Sequence, residues 1–200
     1  MGVFMNKSGK TRPAVFLDRD GTLNEDTGYP ADFRQVHIYP AAFEAVRLLK
    51  RAGFAAVVVT HQSGVGRGYF GAAELDVLHR RFAEEFARRG APLDGIYSCP
   101  HGPDDGACAC AKPRPGLGLR AARELGLGLG SSFMVGDKTV DVLFGRAIGA
   151  APVLVLTGYG RVAAAALAAG GIRPSHAAPG ILEAATWILG QGRSTGHGQV

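Results

Sequence analysis

Several stretches of this sequence place chemically competent side chains directly after apolar, strand-like runs. Asp18-Arg19-Asp20-Gly21-Thr22 follows Ala14-Val15-Phe16-Leu17, and Thr60 closes the run 56–60. Gly136-Asp137-Lys138 follows 132–135, with Asp141 about one helical turn beyond Asp137, and Lys112 lies on the loop before that run. Two carboxylates at alternate positions of a strand terminus can bind a divalent cation and still offer an oxygen to an electrophile. Gly21 would turn the chain and Thr22 would tie the turn. Asp-Gly alone reads as an ordinary turn, but here hydroxyl, ammonium and carboxylates all fall at the same edge.

A second cluster is Cys99-Pro100-His101 followed by Cys108-Ala109-Cys110. An odd number of cysteines, all within one short stretch, does not suit a disulfide framework. Three thiolates and one imidazole make a complete tetrahedral set for Zn²⁺ with no open position, so the site is expected to be structural. It would clamp the excursion 103–107, whose small and acidic residues cannot bury enough to order themselves. The alternative is three reduced cysteines beside a surface histidine.

These residues need a scaffold that brings strand ends together. Apolar runs at 14–17, 56–60, 95–98, 132–135 and 153–156 alternate with helical patterns at 41–52, 73–89, 116–125, 140–148, 161–169 and 181–189. Leu75, Leu78, Phe82 and Phe86 form one apolar stripe at helical spacing. Continuous apolar runs such as Val57-Val58-Val59 imply burial on both faces. The pattern predicts a doubly wound, Rossmann-like α/β fold with a mostly parallel sheet and ligands at the carboxyl ends of its strands. We expect a flexible segment at 1–13, a single domain at 14–190 with the zinc loop at 99–110, and a disordered tail at 191–200. Fewer than about forty residues separate the first two strands, too few for a large cap domain. Trp187 is expected to anchor the last helix on the sheet.

Composition narrows the function. Of 200 residues, 46% are hydrophobic and 20% charged, which excludes a disordered chain. A net charge of +5 and a pI near 9.4 raise the question of nucleic acid, but the excess is scattered. Arg80-Arg81 and Arg88-Arg89 fall at helical spacing with Glu84 and Glu85 and read as a solvated face. The zinc loop carries Asp104 and Asp105 and no Lys or Arg between 102 and 107, which argues against a nucleic-acid module. Gly9-Lys10-Thr11 lacks the earlier glycine of a phosphate loop, having Phe4 there. No apolar run is long enough for a membrane span or an export signal. A cytoplasmic monomer acting on a small anionic substrate is expected.

In order and in strand context, Asp18-Arg19-Asp20-Gly21-Thr22, Thr60, Lys112 and Gly136-Asp137 resemble the four motifs of the haloacid-dehalogenase (HAD) phosphatase superfamily. The resemblance implies that Asp18 is the nucleophile and forms an aspartyl-phosphate, and that Asp20 is the general acid and then base. It assigns Mg²⁺ to Asp18, the backbone carbonyl of Asp20, and Asp137, with Thr60 and Lys112 on the phosphoryl oxygens. The cysteine loop running into Lys112 resembles the zinc-containing subgroup of heptose-bisphosphate and histidinol phosphatases. Asp26-Thr27-Gly28-Tyr29, Gln62-Ser63-Gly64 and Lys138 resemble the heptose branch, because the histidinol branch usually carries Arg at the last position. The implied substrate is a small phosphorylated sugar, contacted by Asp26, Gly28, Tyr29, Thr60, His61, Gln62, Ser63, Lys112 and Lys138.

Two positions depart from the subgroup: His61 stands where Asn is usual, and Ala111 where a basic Arg is usual. That Arg would meet a second phosphate, so Arg67, Arg114 or His61 is expected to substitute. A histidinol phosphatase, a broad sugar-phosphate phosphatase and an inert phosphate-binding scaffold are the competing readings. His37, His79, His176 and His197 have no partners in sequence and read as surface or core fillers.

Overall fold

On β1 (Ala14–Leu17) every side chain is buried, with Val15 and Leu17 joining one apolar cluster and Ala14 and Phe16 another. That two-sided burial requires helices on both faces. The computed structural model of the chain describes residues 11–102 and 108–191. β1 is followed by a 3-10 turn at Phe33–Gln35, α1 (Pro40–Arg51), β2 (Ala55–His61), α2 (Ala72–Arg88) and β3 (Gly95–Cys99). The chain continues through α3 (Gly116–Leu125), a 3-10 turn at Leu129–Ser131, β4 (Phe133–Gly136), α4 (Thr139–Ala147) and β5 (Ala151–Val155). It ends in α5 (Gly160–Ala169), β6 (His176–Ala178) and α6 (Ile181–Gln191).

All six strands run parallel in the order β3-β2-β1-β4-β5-β6. The chain moves outward from β1 to β3, then returns to place β4 against the other side of β1. The crevice at that reversal, between the carboxyl ends of β1 and β4, is where ligands bind in such sheets. Side chains of α1, α2 and α6 fill one face; α3 and α4 fill the other, with α5 extending that layer over β5. Phe82 and Phe86, from the predicted stripe on α2, are fully buried, worth about 2 kcal/mol or more each in hydrophobic transfer. Trp187 packs edge-on against Phe133 of β4 and stacks on His176 of β6, holding α6 to the sheet.

The predicted elements are present with ends shifted by one or two residues, and β6 is added. It is a three-residue edge strand, too short to show a period. Residues on either side of 14–190 also make contacts. Arg12 donates to the carbonyls of Gly53 and Phe54 and pairs with Asp94 at 2.9 Å, and Gln191 ends α6. The remaining expectations for the two ends, on 1–10 and 192–200, and the excursion 103–107 lie outside the described residues. Among the described residues no helix is long and apolar enough to cross a membrane.

Candidate active site

Asp18 is the first residue past β1, and its N–H donates to the carbonyl of Val135 at 2.9 Å. This contact carries the β1–β4 pairing one residue further and brings Asp18 level with the end of β4, where Asp137 follows. Lys112 enters from the loop after β3, with its Nζ 2.6 Å from Asp18 Oδ1, 2.6 Å from Asp141 Oδ1 and 3.1 Å from the carbonyl of Val59. Asp18, Thr60 and Lys112 line one cleft of about 390 Å³ with Asp20, Asp26, Gly28, Tyr29, His61, Gln62, Ser63 and Lys138. The topology thus gathers the residues singled out in sequence. A larger groove of about 590 Å³ between the first 3-10 turn and α2 contains none of them.

The carboxylates outnumber their cations. Asp18, Asp137 and Asp141 offer oxygens within 4.8 Å of one another, and Lys112 bridges two of the three. Burial, reinforced by Asp141 and Asp137 and opposed by Lys112, pushes Asp18 up to about 7. Burial likewise raises Asp137 to about 6. Burial alone would lower Lys112, but Asp141 and Asp18 together raise it, so the ammonium stays charged. Asp137 Oδ2 accepts the Tyr159 N–H at 2.8 Å, whereas its Oδ1 is buried without a partner. Gly21, at φ +86°, and Gly158, at φ +49°, press on this carboxylate, and a Cβ on either would lie 2.2 Å from Asp137 Oδ2.

A buried, unpartnered carboxylate oxygen amid excess negative charge is a donor set that fits a hard divalent cation. Asp141 is occupied otherwise: its Oδ2 accepts the Lys138 N–H at the start of α4 and its Oδ1 takes Lys112. Sequence reading placed Asp141 near the site without giving it this task. The capping position, three residues after Lys138, was the available signal.

Asp20 faces different neighbours. Its carboxylate accepts Arg19 Nε at 3.0 and 3.1 Å, Asn24 Nδ2 at 2.9 Å and Gln62 Nε2 at 2.8 Å. Burial works against the charged form, but Arg19, Asn24 and Gln62 outweigh it and hold Asp20 below the usual carboxylate range. Gln62, expected to contact substrate, lines the cleft, and its amide also donates to Thr60 Oγ1 at 2.8 Å and accepts from Arg19 at 2.9 Å, bracing the site from inside. His79 was read as a filler, yet its Nε2 lies 3.2 Å from Arg19 Nη1 inside the protein.

Cys99, His101, Cys108 and Cys110 converge beside the cleft. Cys99 Sγ lies 3.4 Å from His101 Nδ1, 3.1 Å from Cys110 Sγ and 3.7 Å from Cys108 Sγ, and His101 Nδ1 lies 3.2 Å from Cys110 Sγ. No disulfide joins them, and the separations approach the edge of about 3.7 Å expected around tetrahedral zinc. The four donors fit that ion. His61 Nε2 bonds the carbonyl of His101 at 2.8 Å, tying the end of β2 to this loop.

The HAD-hydrolase-like family matches residues 109–184, a span containing Lys112, Asp137 and Asp141. The chain is 44% identical over 140 residues to a Pasteurella multocida D-glycero-beta-D-manno-heptose-1,7-bisphosphate 7-phosphatase, covering 68% of this chain and 76% of that protein. It is 43% identical over 139 residues to the Escherichia coli K12 protein of the same name, covering 66% and 73%. A crystal structure of D,D-heptose 1,7-bisphosphate phosphatase from B. bronchiseptica, complexed with magnesium and phosphate, superposes with a TM-score of 0.80 at 35% identity over 90% of this chain and 99% of that one. The chain belongs to the heptose-bisphosphate phosphatase family of HAD-like hydrolases.

At the rim of the phosphatase cleft, charged and aromatic side chains from separate segments meet. Lys138 Nζ pairs with Asp26 at 2.9 Å and sits 5.2 Å above the Tyr159 ring, closing one wall. Tyr29 meets Tyr69 edge-on at 4.9 Å, with Arg67 5.9 Å from the Tyr29 ring centre. An annex of about 350 Å³ shares His61, Ser63 and Lys112 with the phosphatase cleft and is lined further by Arg67, Ala111 and Arg114. Ala111 therefore lines a space that has two arginines on its walls.

Proposed function

We propose that this chain is a Mg²⁺-dependent phosphatase that removes the 7-phosphate of D-glycero-D-manno-heptose 1,7-bisphosphate. The observation that carries the reading is Lys112 Nζ held 2.6 Å from Asp18, beside the unpartnered buried oxygen of Asp137. Asp18 attacks phosphorus as the bond to the leaving oxygen breaks, and Asp20 gives that oxygen a proton. Asp20 then takes a proton from water as the water oxygen bonds to phosphorus and the Asp18–phosphorus bond breaks, releasing phosphate. Mg²⁺, held by Asp18, the Asp20 carbonyl and Asp137, would supply positive charge for the phosphoryl oxygens and keep Asp18 ionised. Lys112 and Thr60 orient the phosphoryl group, and the phosphate dianion raises the proton affinity of Asp20 against the pull of Arg19. Zn²⁺ in the Cys99–Cys110 loop would be structural, since four protein donors leave it no open position.

The test is Mg²⁺-dependent phosphate release from both heptose-1,7-bisphosphate anomers, histidinol phosphate and fructose-1,6-bisphosphate, with Asp18→Asn as the blank. Turnover confined to one heptose anomer is expected. Comparable slow turnover of all substrates would make the chain a general sugar-phosphate phosphatase, a reading favoured by Ala111. Absence of metal-dependent release would leave a phosphate-binding scaffold. Arg67 and Arg114 take the second phosphate in the annex; unchanged KM for the bisphosphate in Arg67→Ala and Arg114→Ala would show that they do not.

A further inference from the structure

His79 stands on the sheet-facing stripe of α2, among the buried apolar residues Leu75, Leu78, Phe82 and Phe86. Packing alone would be served by another leucine there. What histidine adds is a hydrogen-bond acceptor, and its partner is the fully buried Arg19. A guanidinium has only donors, so His79 Nε2 must accept and the ring proton must sit on Nδ1. Burial, and then Arg19, lower His79 to about 3, which keeps the ring neutral. Arg19 in turn lies along Asp20, with Nε contacting both carboxylate oxygens and Nη2 2.9 Å from Oδ2, and it also donates to Gln62 at 2.9 Å. Neither His79 nor Arg19 lines the cleft, whereas Asp20 and Gln62 do.

We infer that His79 is a positioning residue for the acid–base carboxylate: by accepting from Arg19 Nη1 it locks the guanidinium that fixes the rotamer of Asp20. The inference rests on the phosphatase reading and extends it to a side chain on α2 that touches no substrate. Without the acceptor, a buried Nη1–H of Arg19 loses its partner and the guanidinium turns to find another. The carboxylate that must face first the leaving oxygen and then the attacking water is then held less well.

The leaving group separates positioning from general damage. An alkyl sugar phosphate needs the Asp20 proton for the first half-reaction, whereas p-nitrophenolate departs without one, so an aryl phosphate needs Asp20 only in the second. For His79→Leu, kcat on the sugar phosphate is expected to fall about ten- to hundredfold with KM changing less than about twofold. On p-nitrophenyl phosphate the first turnover keeps its wild-type rate while the steady state slows, giving a burst of about one nitrophenolate per active site. His79→Gln, which retains an acceptor, should recover most of the loss. His79→Met provides a second apolar variant if the leucine protein does not fold.

Equal slowing of the first turnover on both esters would overturn the inference, as would unchanged kinetics. A folded His79→Gln as slow as His79→Leu would do the same. A wild-type chain that releases phosphate from neither ester, like Asp18→Asn, would instead overturn the phosphatase reading and this inference with it.

Discussion

Binding of Mg²⁺ near pH 6.5 should release about one proton, and binding near pH 8 about a tenth of one. Two buried carboxyls are raised, Asp18 to about 7 and Asp137 to about 6, against an ordinary value of 3.8. At about pH 6.5 a group of pKa about 7 is three-quarters protonated and one of pKa about 6 a quarter protonated, which sums to about one proton over the cluster. Both must ionise to bind a divalent cation. Titration calorimetry of the zinc-loaded, magnesium-free protein, in two buffers of different ionisation enthalpy, counts the protons released.

The same shifts set the pH dependence of stability. A carboxyl whose folded pKa is raised binds more protons folded than unfolded between about pH 4 and its folded value, so stability falls as pH rises through that window. The contribution of Asp18 and Asp137 should fall by several kcal/mol between about pH 4 and pH 7, at about 1.4 kcal/mol per pKa unit, and His79, whose lowered value makes stability rise with pH up to about 6.5, offsets part of that loss. Saturating Mg²⁺ should recover much of it. No proton release near pH 6.5, or equal release at both pH values, would refute the electrostatic account of the cluster.

Other perturbations probe the supporting parts. Gly21→Ala forces a Cβ onto Asp137 at φ +86° and should cost about 2 kcal/mol or more in denaturant unfolding while weakening Mg²⁺ binding. Asp94 accepts from Arg12, Lys50 and the Ala56 N–H, so Asp94→Ala should destabilise by about 1–3 kcal/mol near neutral pH. Burial would raise the Asp94 pKa, but these donors lower it; its contribution should therefore hold above about pH 4 and vanish as pH falls through the folded value, which a pH series of unfolding curves would check. Cys110→Ser should lower bound zinc, measured by atomic absorption, from about one ion per chain and reduce the thermal midpoint. Because His61 bonds the carbonyl of His101, that variant should raise KM for the bisphosphate more than it lowers kcat.

What could be read from the sequence was what is local. Asp18, Thr60 and Asp137 each lie at the end of a short apolar run, and the Cys99, His101, Cys108 and Cys110 cluster lies within one loop, so type and spacing sufficed. Interactions set by sheet order were hidden. Arg19 reaches Gln62 and His79 across 43 and 60 positions, and Lys112 reaches Asp18 across 94. An arginine between two aspartates looks solvent-facing until the fold buries it. Gln62, two residues after Thr60, reads as a substrate contact in sequence and does line the cleft, but nothing in sequence shows that both ends of its amide are also engaged inside. Asp94 carried no signal, since its partners come from three separate segments that meet only when the sheet forms.

The two aspartates of the first motif also show why residue identity cannot assign a proton. Only Arg19 separates them in sequence, yet Asp18 is raised by burial among other carboxylates while Asp20 is lowered by Arg19, Asn24 and Gln62. Without ligands and below about pH 7, Asp18, the nucleophile of the proposed reaction, is therefore mainly protonated, while Asp20, its proposed acid, is ionised. Each ligand would correct one of these. A divalent cation held at Asp137 would lower Asp18, and a phosphate dianion in the cleft would raise Asp20. Charge brought by both would thus favour the ionised Asp18 and protonated Asp20 that the proposed first bond cleavage needs. In the ligand-free fold the two carboxyls are shifted opposite to what the proposed reaction requires, and environment rather than sequence position sets those shifts.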